Sequence, residues 1–191
     1  MKELAFITIL IVICLTGCKT TKPVADVKPE VKQTPVPVAV VAPPVANFSD
    51  QSTWVLGYFS LGRLTQLPHS VWYNKEYDDY QINSEPINRL LDTGKDNLTI
   101  KIVMGTWCPD SRREVPRFMR ILDIWRFPMD KVKFIGVDKA KISPIDEYDS
   151  LNIQKVPTFI IYKNNIEAGR IIENPVTSLE QDILNILTRN E

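Results

Sequence analysis

Apolar positions along the chain fall into blocks of different period, and each period predicts an element. The first block is continuous: Leu4 to Leu15 reads LAFITILIVICL behind Met1-Lys2-Glu3. A run of about a dozen apolar residues suits a secretory signal core and is shorter than the roughly 20 residues a membrane-spanning helix needs. No period is visible from Lys19 to Asn47, where apolar residues alternate with prolines. Beyond it, Phe48 to Ser60 is aromatic and β-leaning without a placeable pattern. Ser84-Glu85-Pro86 reads as a helix start, and INRLLDTG predicts a short helix closed by Gly94. Leu98 to Met104 (LTIKIVM) predicts a strand. Val115, Phe118, Met119, Leu122 and Trp125 recur at helical spacing and predict a helix from Ser111 to about Arg126, ended by Pro128. Val132–Asp138 and Thr158–Tyr162 predict two more strands. Asn164-Asn165 predicts a tight hairpin turn into a returning strand, Glu167–Ile172. A last amphipathic helix runs from Thr177 to Thr188, capped by Thr177 or Ser178. Strand, helix, strand, connection, hairpin, helix is an α/β order, with a mixed sheet flanked by helices.

The small residues that close the first apolar run change what that run means. Leu15-Thr16-Gly17-Cys18 resembles a bacterial lipobox. The resemblance implies cleavage before Cys18, lipid on that cysteine, and a protein anchored to a membrane of the cell envelope with its domain outside the cytoplasm. Residues 1–17 are then a signal peptide, 18–47 a lipidated cysteine and linker, and 48–191 the single domain. Six of the fourteen prolines lie between Lys19 and Asn47, with no Gly and no aromatic. Such a segment favours extended polyproline II geometry and reaches at most roughly 90 Å.

Composition narrows the chemistry. Lys+Arg and Asp+Glu both number 23, so the net charge is zero. A general nucleic-acid binder carries a basic excess to displace counterions, so no nucleic-acid partner is expected. The one histidine, His69, excludes any site built on two His ligands. It reads as a surface or loop residue. No Cys/His/carboxylate group has metal spacing and no Gly-rich phosphate loop occurs, so no metal and no cofactor is expected. The aromatic stretch Val71–Tyr80 reads as packing an N-terminal addition onto the sheet through Trp72, Tyr73, Tyr77 and Tyr80, with a wall of a binding groove as the alternative. Asp78-Asp79 and Asp146-Glu147 read as solvated pairs.

Three cysteines become one on this reading. Cys14 leaves with the signal peptide and Cys18 becomes a thioether, which leaves Cys108 without an internal disulfide partner. Cys108 falls between the strand ending at Met104 and the helix that follows. First-turn amides and the helix dipole stabilise negative charge there, so a thiolate is favoured. Arg112 and Arg113 add positive charge, and Trp107 can shield one side of the sulfur.

Trp107-Cys108-Pro109-Asp110-Ser111 after a core strand, Pro116 in the helix and Val156-Pro157-Thr158 opening the third strand resemble the thioredoxin-like superfamily. The likeness runs from about Glu85 to the C-terminus. It implies a thioredoxin-like sheet with Cys108 as nucleophile, Trp107 at its flank, and Val156-Pro157-Thr158 as a cis-proline segment of the substrate groove. Backbone groups at Val156 would pair with an extended substrate, as in strand addition. Two departures go together. Ser111 stands where the usual second cysteine would be, giving C-x-x-S. Ile102 stands where thioredoxins commonly have a buried acid that serves the second thiol.

Without a resolving cysteine, a mixed disulfide on Cys108 must be released by another thiol. The expectation is monothiol thiol–disulfide exchange, of isomerase or reductase type, on envelope protein disulfides or thiols. Ser111 would hydrogen-bond the sulfur, Asp110 would tune it by like charge, and Trp107, Pro109 and Asp110 would shape the groove. Two other uses stay open: a groove that binds a peptide or protein without catalysis, and a sulfenic-acid sensor. The sensor reading lacks the peroxiredoxin-type Thr three residues before the cysteine, where Gly105 stands.

Overall fold

A computed structural model describes residues 46–189. The signal peptide, Cys18 and the linker as far as residue 45 therefore lie outside the described residues. In chain order the elements are β1 (Gly57–Phe59), α1 (Ser70–Asp79), α2 (Ser84–Leu91), β2 (Leu98–Met104), α3 (Pro109–Trp125), β3 (Val132–Gly136), β4 (Thr158–Lys163), β5 (Ile166–Ile172) and α4 (Leu179–Thr188). The strands form one sheet in the order β1-β3-β2-β4-β5. Only β2 and β3 run parallel, with Ile102 opposite Phe134; β1–β3, β2–β4 and β4–β5 are antiparallel. The protein is thus α/β with a mixed sheet, and among the described residues no helix is long and apolar enough to cross a membrane.

The two sheet faces are finished differently. Alternation along β2 sends Leu98, Ile100, Ile102 and Met104 to one side. There they join Phe134, Phe159, Ile161, Ile171 and buried side chains from all four helices in one core. Phe118 of α3 stacks on Phe159 with ring centroids 4.2 Å apart. The other side carries a smaller core: Val103, Ile135, Val137 and Ile160, covered by Tyr148, Leu151 and Val156 from the connection between β3 and β4. Cys108 is part of this second core. Among the described residues this side is covered by no α-helical core residue, and the connection carries a short 3₁₀ turn, Tyr148–Leu151.

Local chemistry explains most boundaries. Helix α3 begins at Pro109, whose fixed φ suits the first turn, with Cys108 in extended conformation as its N-cap. It ends at Arg126 in the left-handed region, whose N–H reaches back to the Asp123 and Leu122 carbonyls. Asn164 and Asn165 both take positive φ, as a two-residue hairpin turn requires. Ser178 caps α4 by accepting from the Gln181 N–H at 3.2 Å. Helix α2 differs from expectation: Asn83 holds the N-cap position rather than Ser84, and the helix stops at Leu91.

The larger departure is α1. Its aromatic stretch forms a helix and packs against α3 instead of lying on the sheet. Tyr73 is buried, Arg117 of α3 pairs with Glu76 at 2.6 Å, Arg120 donates to the Tyr77 carbonyl at 2.9 Å, and the Tyr77 hydroxyl donates to Asp123 at 2.6 Å. Strand β1 then adds at the sheet edge beside β3. Gly136 on β3 has no room for a side chain, because a Cβ would collide with the Val55 carbonyl.

Candidate functional site

The turn from β2 into α3 places Cys108 at the edge of the second core. Its residue is 7% exposed. The Cys108 N–H is held by the Gly105 carbonyl at 2.9 Å. The thiol donates to the Val156 carbonyl, with Sγ 3.4 Å from the oxygen. The Val156–Pro157 peptide bond is cis. Pro157 and Thr158 are buried at the start of β4. The Pro157 carbonyl accepts from Glu173 N–H at 2.7 Å, and the Thr158 hydroxyl donates to Lys155 O at 2.7 Å. Segments nearly fifty residues apart in sequence thus meet at one sulfur.

Trp107 is anchored by its indole N–H, which donates to the Val137 carbonyl at 2.9 Å. The ring lies across Gly105, where a Cβ would come within 2.5 Å of the indole. Any larger residue at 105 would displace Trp107 from beside the sulfur. Thr106, fully buried, ties this turn to the N-terminal segment: its hydroxyl accepts from Val55 N–H at 3.2 Å and donates to Thr53 O at 3.3 Å.

Two expected roles are corrected. Ser111 is fully buried, and its hydroxyl accepts from the Gly105 N–H at 3.3 Å rather than bonding the Cys108 sulfur. It braces the turn that carries Cys108. Asp110 is paired with Arg113 at 2.8 Å, so its charge is offset rather than aimed at the sulfur. Arg113 also contacts Glu114 at 2.6 Å and the Asn174 side chain at 2.5 Å. Pro109 is exposed on the rim.

Arg112 is the cation electrostatically coupled to Cys108. Its partial burial lowers its proton affinity, and a thiolate at Cys108 acts in the opposite direction. The guanidinium lies over the Phe48 ring, 4.6 Å from its centroid.

His69 is also corrected. It is 3% exposed, with ring centroids of Phe48 and Trp72 at 5.6 and 5.8 Å, and its Nδ1 has no hydrogen-bond partner. Burial, then the charges of Arg63 and Arg112, hold its titration below the ordinary range. The sequence offered the Val71–Tyr80 aromatics as a groove wall only as an alternative, and gave no sign of the burial of His69 or of the Thr106 clamp. The density of aromatics between Phe48 and Tyr80 was the only available signal of the cluster. Among the described residues no cluster of His, Cys, Asp or Glu could hold a metal ion.

No family model and no curated protein matches this chain. A solved structure of a Pseudomonas aeruginosa protein of unknown function aligns with a TM-score of 0.53 at 11% identity, over 70% of this chain and 94% of that one. The likeness is one of fold. An HIV epitope scaffold aligns at a TM-score of 0.40 and 15% identity, over 62% of this chain and 71% of that one.

Proposed function

We propose that this protein is a thioredoxin-like monothiol exchange protein, tethered by lipid at Cys18 to the bacterial cell envelope. The observation that carries the reading is the Cys108 sulfur at the start of α3, 3.4 Å from the carbonyl that precedes a cis-proline. The Cys108 thiolate attacks one sulfur of a substrate disulfide. A Cys108–substrate S–S bond forms, the substrate S–S bond breaks, and the departing thiolate takes its proton from water. A second thiolate then attacks the substrate sulfur of this mixed disulfide and releases the Cys108 thiolate. If that thiolate belongs to the same substrate, the outcome is isomerisation. If it belongs to an external thiol, the substrate is reduced and the external thiol oxidised.

The Val156 carbonyl changes partner across the first step. In the thiol state it accepts the S–H. A sulfur in a mixed disulfide has no proton to donate, so the carbonyl becomes available to a substrate backbone N–H. Covalent capture and strand-like docking would reinforce each other.

The test uses the full chain in detergent with Cys14→Ser and Cys18→Ser, leaving Cys108 as its single thiol. Incubation with a disulfide-linked peptide is expected to give one peptide adduct at Cys108, seen by mass spectrometry. The adduct should persist until an external thiol is added, because residue 111 is Ser. Absence of the adduct sinks the exchange reading. The slight exposure of Cys108 favours a second reading, a groove that docks a partner non-covalently. Full retention of envelope partners by Cys108→Ala would then be expected.

A further inference from the structure

A cleft of about 540 Å³ opens between the N-terminal segment and the turn that carries Cys108, lined by Trp107 and Pro109 though not by Cys108 itself. Phe48, Pro68 and Trp72 make one wall, and Trp107, Pro109 and Arg112 the other. The two neighbours of Cys108 in sequence therefore both face this space. Its volume falls within the roughly 300–1,000 Å³ usual for binding pockets.

Its walls are aromatic and its charge is unbalanced. Other arginines of α3 have oxygen partners: Arg113 pairs with Asp110 and Glu114, Arg117 with Glu76 and Glu114, and Arg120 donates to the Tyr77 carbonyl. The Arg112 guanidinium has no hydrogen bond or ion pair to any described residue; it lies over the Phe48 ring. The indole N–H of Trp72, another lining residue, is also buried without an acceptor. None of the cleft's lining residues is acidic. A half-buried guanidinium with unused donors is complementary to a carboxylate, which it can hold through two parallel hydrogen bonds.

We propose that this cleft receives an acidic side chain of the extended protein segment whose cysteine exchanges with Cys108, and so selects disulfides flanked by Asp or Glu. The inference rests on the exchange reading. Arg112 is placed to hold that carboxylate while Phe48 and Trp107 exclude water around it. A carboxylate one or two positions from the substrate cysteine is within reach, because both flanks of Cys108 line the cleft.

The experiment uses the full chain with Cys14→Ser and Cys18→Ser and short cysteinyl peptides activated as thionitrobenzoate mixed disulfides. Attack by Cys108 joins it to the peptide and releases coloured thionitrobenzoate. The peptides carry Asp or Asn beside the cysteine, and a third set carries Asp far from it. Adjacent Asp is expected to speed release roughly three- to tenfold over Asn, the range of an ordinary net hydrogen bond, because the pair stays partly exposed to solvent. Distant Asp should give no gain, and high salt should shrink the ratio. In Arg112→Gln the ratio falls to about one, with the Asn peptide as internal reference for any effect on the sulfur. Arg112→Lys keeps part of it. Exchange without discrimination, or discrimination that survives Arg112→Gln, overturns this inference alone. Absence of exchange with every peptide overturns the exchange reading and this inference with it.

Discussion

The two faces of the sheet divide the work of the molecule. One is closed by helices, with α1 packed on α3, and filled with large side chains, including Trp125, Phe118 and Phe159, all fully buried. The other is closed by an irregular connection carrying a single 3₁₀ turn, and its core is a small set of aliphatic residues with Tyr148. Cys108 belongs to the second. A helix-covered face gains stability from continuous interdigitation. A loop-covered face makes fewer regular backbone hydrogen bonds and opens at lower free energy. Placing the sulfur on the loop-covered side lets a groove open without disturbing the main core. Tyr148 bridges the two requirements: its hydroxyl donates to the Lys141 carbonyl at 2.6 Å, which folds the connection back on itself.

Substitutions on the two faces should therefore have different signatures. The largest stability effect is expected for Phe159→Ala, which removes the ring stacked on Phe118. Truncations of this kind cost about 3–5 kcal/mol. Urea unfolding should show that loss, while Cys108 in the remaining folded protein reacts with iodoacetamide at the parent rate. Leu151→Ala on the other face should cost about 2–3 kcal/mol, near the low end for such truncations, because an irregular segment can relax into the space. It should also speed alkylation of Cys108, since Leu151 shares its core. Equal stability losses, or an alkylation rate changed by Phe159→Ala and untouched by Leu151→Ala, would break the division.

The sequence made one face far more legible than the other. Strand β2 and helix α3 have clean periods of two and 3.6, because each buries one side against a regular partner. Ser178 and the Asn164-Asn165 pair mark the start of α4 and the β4–β5 turn by local chemistry. The β3–β4 connection has no period, since its residues reach the core one at a time. Helix α1 was hidden for another reason. Its inner positions are the buried Tyr73 and the half-buried Trp72 and Tyr77, set among Asn, Asp and Lys, and its stability comes from α3 through Glu76, Tyr77 and Tyr73. The site divides the same way. Trp107 through Ser111 are contiguous at a strand–helix junction and could be read together, and the structure brings Val156 and Pro157 to them. The partner of the Ser111 hydroxyl could not be read, because a hydroxyl rotor takes whichever backbone group lies nearest. The placement of Phe48 and His69 near Arg112 depends on contacts more than forty residues apart, which no local pattern encodes.

The smallest expected effect concerns a third packed region, at the margin of the main core where Trp72 packs. His69 lies among Phe48 and Trp72, and the charges that act on it, Arg63 and Arg112, are both positive. Its titration in the folded protein is depressed, so the unfolded chain binds the proton more readily. The sign follows: stability from a neutral His69 is fully present above the unfolded value of about 6.5 and is lost as pH falls from there toward the depressed folded value. His69→Leu removes that titration, and with it no side-chain hydrogen bond at Nδ1. The parent should therefore lose more stability than His69→Leu between about pH 7.5 and 5.5, read as urea midpoints at each pH. Parallel pH profiles would mean that His69 binds its proton equally well in the folded and unfolded chain, and would overturn the depressed titration. A steeper parent profile accompanied by faster alkylation of Cys108 would instead join the region to the site, since Phe48 and Trp72 form a wall of the adjoining cleft. In that case acid would act on the aromatic side of the sulfur first, leaving Val156 and the helix-covered core in place.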